Sequence, residues 1–247
     1  MTEAARQEND IASRVQASIL PGEVDVEGLA VSAQMLPAEV VGGDYYDIIP
    51  VTDGCWLAIG DVAGHGLAAG VIMLMIQSAV QSLVRLSPKA SPRDLVCALN
   101  GALYENIRNR MKRDEHVTFC LARYSPDGKL VFAGAHENIL ICRENGECED
   151  IPPNGTWLGA MEDIREHTPE ITLQLGPGDL MLLFSDGIIE AYDGQGARFG
   201  LERLRAMMVD NRERTPQEMR NAIIENMAYA HEHGTDRPEV ANWTWPY

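Results

Sequence analysis

Three aspartates stand where ordinary packing does not call for them: Gly42-Gly43-Asp44-Tyr45-Tyr46-Asp47, Gly60-Asp61-Val62-Ala63-Gly64-His65-Gly66 and Ser185-Asp186-Gly187. Each adjoins an apolar run that reads as a strand. A carboxylate at the end of Leu57-Ala58-Ile59, or of Leu180 to Phe184, is costly to desolvate unless a cation meets it. Few Lys or Arg lie nearby in sequence, so a divalent metal is the economical partner. Magnesium and manganese take carboxylate, backbone carbonyl and water oxygens, and two such ions side by side can activate a water for attack on phosphorus. The neighbouring glycines let the backbone approach the ions closely. Singly, each aspartate is more simply read as a turn or helix-cap residue. Together, glycine-flanked at strand ends, they point to a metal site.

The elements that must position them follow from periodicity. From Glu3 to Ile19, Ala4, Ile11, Val15 and Ile19 recur at helical spacing, and Pro21-Gly22 ends the pattern. This amphipathic helix either packs on its own domain or connects to an upstream module. Short β-type runs cover Leu29 to Gln34, Tyr45 to Pro50 and Cys55 to Gly60, the last two forming a hairpin around Asp53-Gly54. Leu67 to Leu86 reads as a buried helix, and Ser91-Pro92 opens another that runs to about Lys112. Strands are then expected at Val117 to Tyr124, Lys129 to Ala133, Ile139 to Arg143 and Leu180 to Phe184, as an antiparallel meander. Helices follow at Phe199 to Val209 and Thr215 to Tyr229. The sum is an α+β layered fold: a linker helix over residues 1–21 and one domain over 22–247.

Charge narrows the partners. Acidic residues outnumber basic ones 37 to 20, a net charge of −17, with no basic stripe for a polyanion, so nucleic acid and anionic membrane are poor partners. Cys55, Cys97, Cys120, Cys142 and Cys148 fall singly in apolar runs and read as reduced core residues. The N-terminus lacks a basic start followed by an apolar stretch, and the longest nearly apolar run, Leu67 to Ile76, is too short to span a bilayer. A cytoplasmic location is expected, without membrane insertion. The Met73-Leu74-Met75-Ile76 stretch reads as core, and no organic cofactor is expected.

In order along the chain, IASRVQASILP, GGDYYD, GDVAGHG with its following helix, Asn100 in ALNGALYENI, HVTFCLARY, FAGAHENILI and LFSDGIIEA resemble the bacterial PPM (protein phosphatase 2C-type) serine/threonine phosphatases that control sigma factors by partner switching. The likeness covers essentially the whole chain. It implies a β-sandwich of two antiparallel sheets flanked by helices on both faces, with a two-metal manganese or magnesium site. By that match Asp61 bridges both ions and positions the attacking water, Val62 offers its carbonyl, Asp44 binds one ion and Asp186 the other. Asp47 is a further candidate, through water. The implied partner is a small phosphorylated regulatory protein such as an anti-sigma-factor antagonist, with an upstream sensor domain or a second copy engaging residues 3–20. His65 invites a role as general acid, but capping the turn into the next helix is the simpler reading, and His136 is read as structural.

The resemblance breaks near the C-terminus. The family carries acidic residues just before a residue-Thr pair, and matching Trp243-Thr244 to that pair puts Ala241 at a metal-ligand position, between Val240 and Asn242. Alanine has no side-chain oxygen, so the ion held by Asp186 is expected to lose affinity. Two readings stand: a phosphatase weakened at one ligand, or a degenerate module that binds a phosphoprotein or relays a signal. A phosphoesterase for nucleotides or nucleic acid is disfavoured by the charge.

Overall fold

The computed structural model describes residue 11 and residues 13–36, 41–192 and 197–233. Their contacts fall into two compact units.

The first unit comprises Met1–Leu29, Met35–Asn138 and Pro152–Leu175. Within it residues 13–19 form helix α1. The hairpin expected from Asp53-Gly54 is present as β1 (Tyr45–Val51) and β2 (Gly54–Val62), and α2 (Leu67–Leu86) has the bounds read from its apolar pattern. Helix α3 (Pro92–Tyr104) is capped by the Ser91 hydroxyl, which accepts from the Asp94 amide at 3.2 Å, and it continues as a π-helical turn over Glu105–Arg110. The strands β3 (Val117–Tyr124), β4 (Lys129–Ala135) and β7 (Ile171–Gln174) complete a five-stranded antiparallel sheet in the order β1-β2-β3-β4-β7.

Alternate residues of these strands, Tyr45, Ile49, Trp56, Ala58, Val62, Phe119 and Leu121, join Ile72, Met73, Ile76, Val80 and Val84 of α2 and Leu95, Leu99 and Leu103 of α3 in one core. Each large side chain so buried contributes about 1.5–3 kcal/mol. At 20 residues α2 is long and apolar enough to cross a bilayer, which the reading of its first half alone overlooked. Its apolar side is spent in this core.

The second unit comprises Ala30–Gln34, Ile139–Ile151 and Gly176–Tyr247. Here β5 (Ile139–Cys142) pairs on one side with β6 (Cys148–Ile151) and on the other with β8 (Leu180–Leu182), all antiparallel. The helices are α4 (Asp186–Ile189), α5 (Leu201–Asp210) and α6 (Pro216–His233), and side chains of α5 and α6 close a core on Leu140 and Cys142. The five cysteines are free thiols.

Three expectations change. Leu29 to Gln34 is not a strand: the chain turns at Gly28 and makes only a Val26–Leu29 bridge. The expected meander is divided, because β3 pairs with β4 while β5 pairs with β6 and β8. Strands β6 and β7 add to the expected set; each has only four residues, two of them polar.

Candidate functional site

Strands β1 and β2 pair from Val51↔Gly54 to Tyr45↔Gly60. The Val62 amide then donates to the Gly43 carbonyl at 3.2 Å, which carries the same pairing past the end of β1. Asp44 therefore falls opposite Asp61. On its other side β2 pairs Asp61 with Thr118, and the Ala63 amide donates to the His116 carbonyl at 2.9 Å. The odd-numbered residues of β2 thus direct their main-chain bonds to β3 and the even-numbered ones to β1. That makes Asp44 and Asp61 a non-hydrogen-bonded pair, the type whose Cα atoms lie about 4.5 Å apart with side chains close. Like charges so placed repel, and both residues are half-buried.

Gly43 is required at the centre of this arrangement. A Cβ there would stand 2.6 Å from the Val62 carbonyl oxygen and 2.9 Å from Asp61 Oδ1. Two hard oxygens, one main-chain and one carboxylate, therefore face the space that a side chain would have filled. Asp61 Oδ1 and the Val62 carbonyl, with Asp44 paired opposite Asp61, are oxygens of the kinds that magnesium or manganese prefer, ions that also keep several waters. Among the described residues no three His, Cys, Asp or Glu side chains gather into a metal cluster. The fit thus rests on two carboxylates, a carbonyl and the water that such ions retain.

Asp47 is placed apart from this pair. It is 3% exposed and committed beneath α2: the Ile48 amide donates to its Oδ1 at 2.9 Å, while Gln81 Nε2 at 2.6 Å and the Tyr45 hydroxyl at 3.2 Å donate to Oδ2. Gln81 Oε1 in turn accepts from Arg85. Burial raises the Asp47 pKa above the ordinary aspartate value, against the lowering effect of Gln81, Tyr45, Ile48 and Arg85. Burial also pushes the Tyr45 hydroxyl well up, with Asp47 adding to the shift. This carboxylate belongs to the packing of α2 on β1, which argues against a ligand role.

His65 is exposed, and Gly66 holds the N-cap position of α2. His136 Nδ1 shares a 2.9 Å hydrogen bond with Thr118, the residue paired with Asp61. Asn100, buried in α3, accepts from the Gly159 amide at 2.9 Å and donates to the Met161 and Glu162 carbonyls at 3.1 and 3.0 Å. It fixes the loop after Trp157. Asp186 lies in the second unit, exposed, as the first residue of α4 after Ser185. Ala241, Val240, Asn242 and Trp243 lie outside the described residues.

Residues 52–238 match the family Stage II sporulation protein E (SpoIIE). The chain belongs to the SpoIIE family. It is 29% identical over 195 residues to phosphoserine phosphatase RsbU of Bacillus subtilis (strain 168), an alignment that covers 77% of this chain and 56% of RsbU. The chain thus spans little more than half of that relative. Its fold is that of the SiaA-PP2C domain of Pseudomonas aeruginosa, with a TM-score of 0.74 at 21% identity over 96% of both chains. The catalytic domain of serine threonine protein phosphatase PstP, determined with two manganese ions, matches 80% of this chain and 88% of its own at 15% identity and a TM-score of 0.57. The α+β architecture of two antiparallel sheets with helices is therefore that of protein phosphatase 2C-type domains.

Sequence reasoning missed Gln16 and Thr118. Both stand inside quoted segments, IASRVQASILP and HVTFCLARY, but nothing in their type or spacing marks them for chemistry, and only the folded pairing brings them to the Asp44–Asp61 region.

Proposed function

We propose that this SpoIIE-family domain removes phosphate from phosphoserine or phosphothreonine on a small regulatory protein, such as an anti-sigma-factor antagonist, with manganese or magnesium bound. The carrying observation is the opposition of Asp44 and Asp61 beside the cradle left by Gly43. A cation bound between two like charges so placed would relieve their repulsion. The name of RsbU supports the phosphoserine, and the ions held by PstP support the metal. The residues that would hold the ions are Asp61, Asp44, the Val62 carbonyl and Asp186. Bound there, they would supply an activated water and charge stabilisation at phosphorus. Asp61 would orient that water, and Gly43 would keep the two carboxylates close.

Release of phosphate from a phosphoserine peptide, measured with manganese and with excess chelator, tests the reading. Turnover should need the metal and vanish in Asp61→Asn; equal turnover in chelator would refute it.

Two further points belong to this proposal. Ile11 and Val15 of the N-terminal stripe are 55% and 43% exposed, while Ile19 packs on the core, so residues 3–20 would engage an upstream sensor domain or a second copy in the cytoplasm. A second reading, a degenerate module that binds its phosphoprotein without turnover, is favoured by Ala241 alone.

A further inference from the structure

Helix α1 reaches the Asp44 loop through one side chain. Gln16 is 5% exposed although Val15 beside it is largely open to solvent. Its carboxamide spans Gly42: Nε2 donates to the Gly42 carbonyl at 2.7 Å, and the Gly42 amide donates to Oε1 at 3.2 Å. Those are the two bonds a neighbouring strand would have made to the same residue, and they fall two positions before Asp44. Val41, next in the loop, is buried and seated in the notch that Gly70 leaves on α2, where a Cβ would come within 2.3 Å of Val41 Cγ1. Gly43, on the other side, is bonded to Val62 and packed on Asp61. The segment 41–43 is thus gripped in turn by α2, α1 and β2.

We infer that Gln16 is a positioning residue for Asp44: by fixing Gly42 it keeps Asp44 in register opposite Asp61, and metal affinity depends on that grip. The inference rests on the metal-dependent reading of the pair. Only a primary carboxamide serves this role, since it offers a donor and an acceptor in one plane at the reach of two methylenes. Leucine at 16 would fill the volume and leave both Gly42 groups unpaired. Glutamate would keep the bond from the Gly42 amide and turn an oxygen toward the Gly42 carbonyl.

The test is manganese binding by titration calorimetry on the full chain, beside metal-free amide hydrogen exchange, for wild type, Gln16→Leu and Gln16→Glu. Loss of the two bonds should weaken manganese binding roughly tenfold. Exchange should quicken over residues 41–46 and stay as in wild type in α2 and β2. Saturating manganese should restore most of the turnover, so that the metal requirement moves more than kcat. A manganese Kd within twofold of wild type in both variants would overturn the role. So would a Kd loss accompanied by faster exchange throughout the unit, which is the signature of a latch for stability alone. If Leu prevents folding, the Glu variant decides by the same criteria. Wild-type protein that binds no manganese would overturn the metal reading itself, and this inference with it; an unchanged Kd in the variants would overturn the inference alone.

Discussion

Asp44 and Asp61 oppose each other across the β1–β2 pairing, between the Tyr45↔Gly60 step and the Gly43–Val62 hydrogen bond. With no ion present, such a like-charged pair costs about 0.2–1 kcal/mol. Asp44→Asn should therefore raise the stability of the metal-free protein by that order while reducing the stabilisation that manganese provides. Thermal melts in chelator and in manganese would show it. Lower stability in chelator combined with an undiminished gain in manganese would contradict the pairing.

The two adjacent glycines make a sharper contrast. A Cβ on Gly43 meets the Val62 carbonyl at 2.6 Å, whereas the nearest atom to a Cβ on Gly42 is the Asp44 nitrogen at 3.9 Å. Gly43→Ala must push β2 and the loop apart, with a cost of about 1–3 kcal/mol and a loss of manganese affinity. Gly42→Ala should leave both nearly unchanged. Equal effects of the two substitutions would mean that the close approach at Gly43 does not shape the site.

The motifs around Asp44, Asp61 and Asp186 were legible because glycine beside an aspartate at a strand end is unusual. The bounds of α2 were legible because its apolar pattern ends sharply at Leu86 and Ser87. What the residues could not convey is register: that Asp44 faces Asp61, and Asp47 does not, depends on which positions of β1 and β2 pair. Spacing within GGDYYD makes both aspartates look alike, yet a shift of three along a strand turns a side chain to the opposite face. Gln16 escaped notice for a related reason, since a glutamine in an amphipathic helix is ordinarily solvent-facing. Strand β6, with Glu149 and Asp150 in four residues, carries too little apolar signal to be read.

Asp47 supplies a pH prediction. Its folded pKa is raised by burial, so the stability it confers is fullest below the ordinary aspartate range and is lost as pH rises through the folded value. Asp47→Asn removes the buried charge and keeps an acceptor for the Ile48 amide. The variant should gain on wild type as pH rises from about 4 toward neutrality, near its unfolded pKa and above. Manganese binding should be unchanged. Urea melts across that range in chelator, with calorimetry at neutral pH, would check both; a metal-binding loss in this variant would restore Asp47 to the ligand set.

Ala241 divides the proposed enzyme from the proposed binder. If the match of Trp243-Thr244 to the family pattern is right, the ion partnered by Asp186 lacks one carboxylate while the ion between Asp44 and Asp61 keeps its own. Turnover of a phosphoserine peptide should then be slow and should call for high manganese. Ala241→Asp would put an anionic oxygen into that ion's coordination shell. The gain in affinity for the second ion should be at least the roughly 10–100-fold that an outer-shell partner is worth, with turnover rising in parallel. Calorimetry would separate the two ions: the tighter event should persist unchanged in Ala241→Asp, and the weaker should strengthen. In Asp186→Asn combined with Ala241→Asp the gain should disappear, because both act on the same ion. A folded Ala241→Asp protein with the manganese isotherm and turnover of wild type would mean that position 241 is not a ligand position, and the weakness predicted from it would go as well. A strengthened second binding event without faster turnover would instead favour the binding module, since the lost carboxylate would be back and catalysis would still be missing.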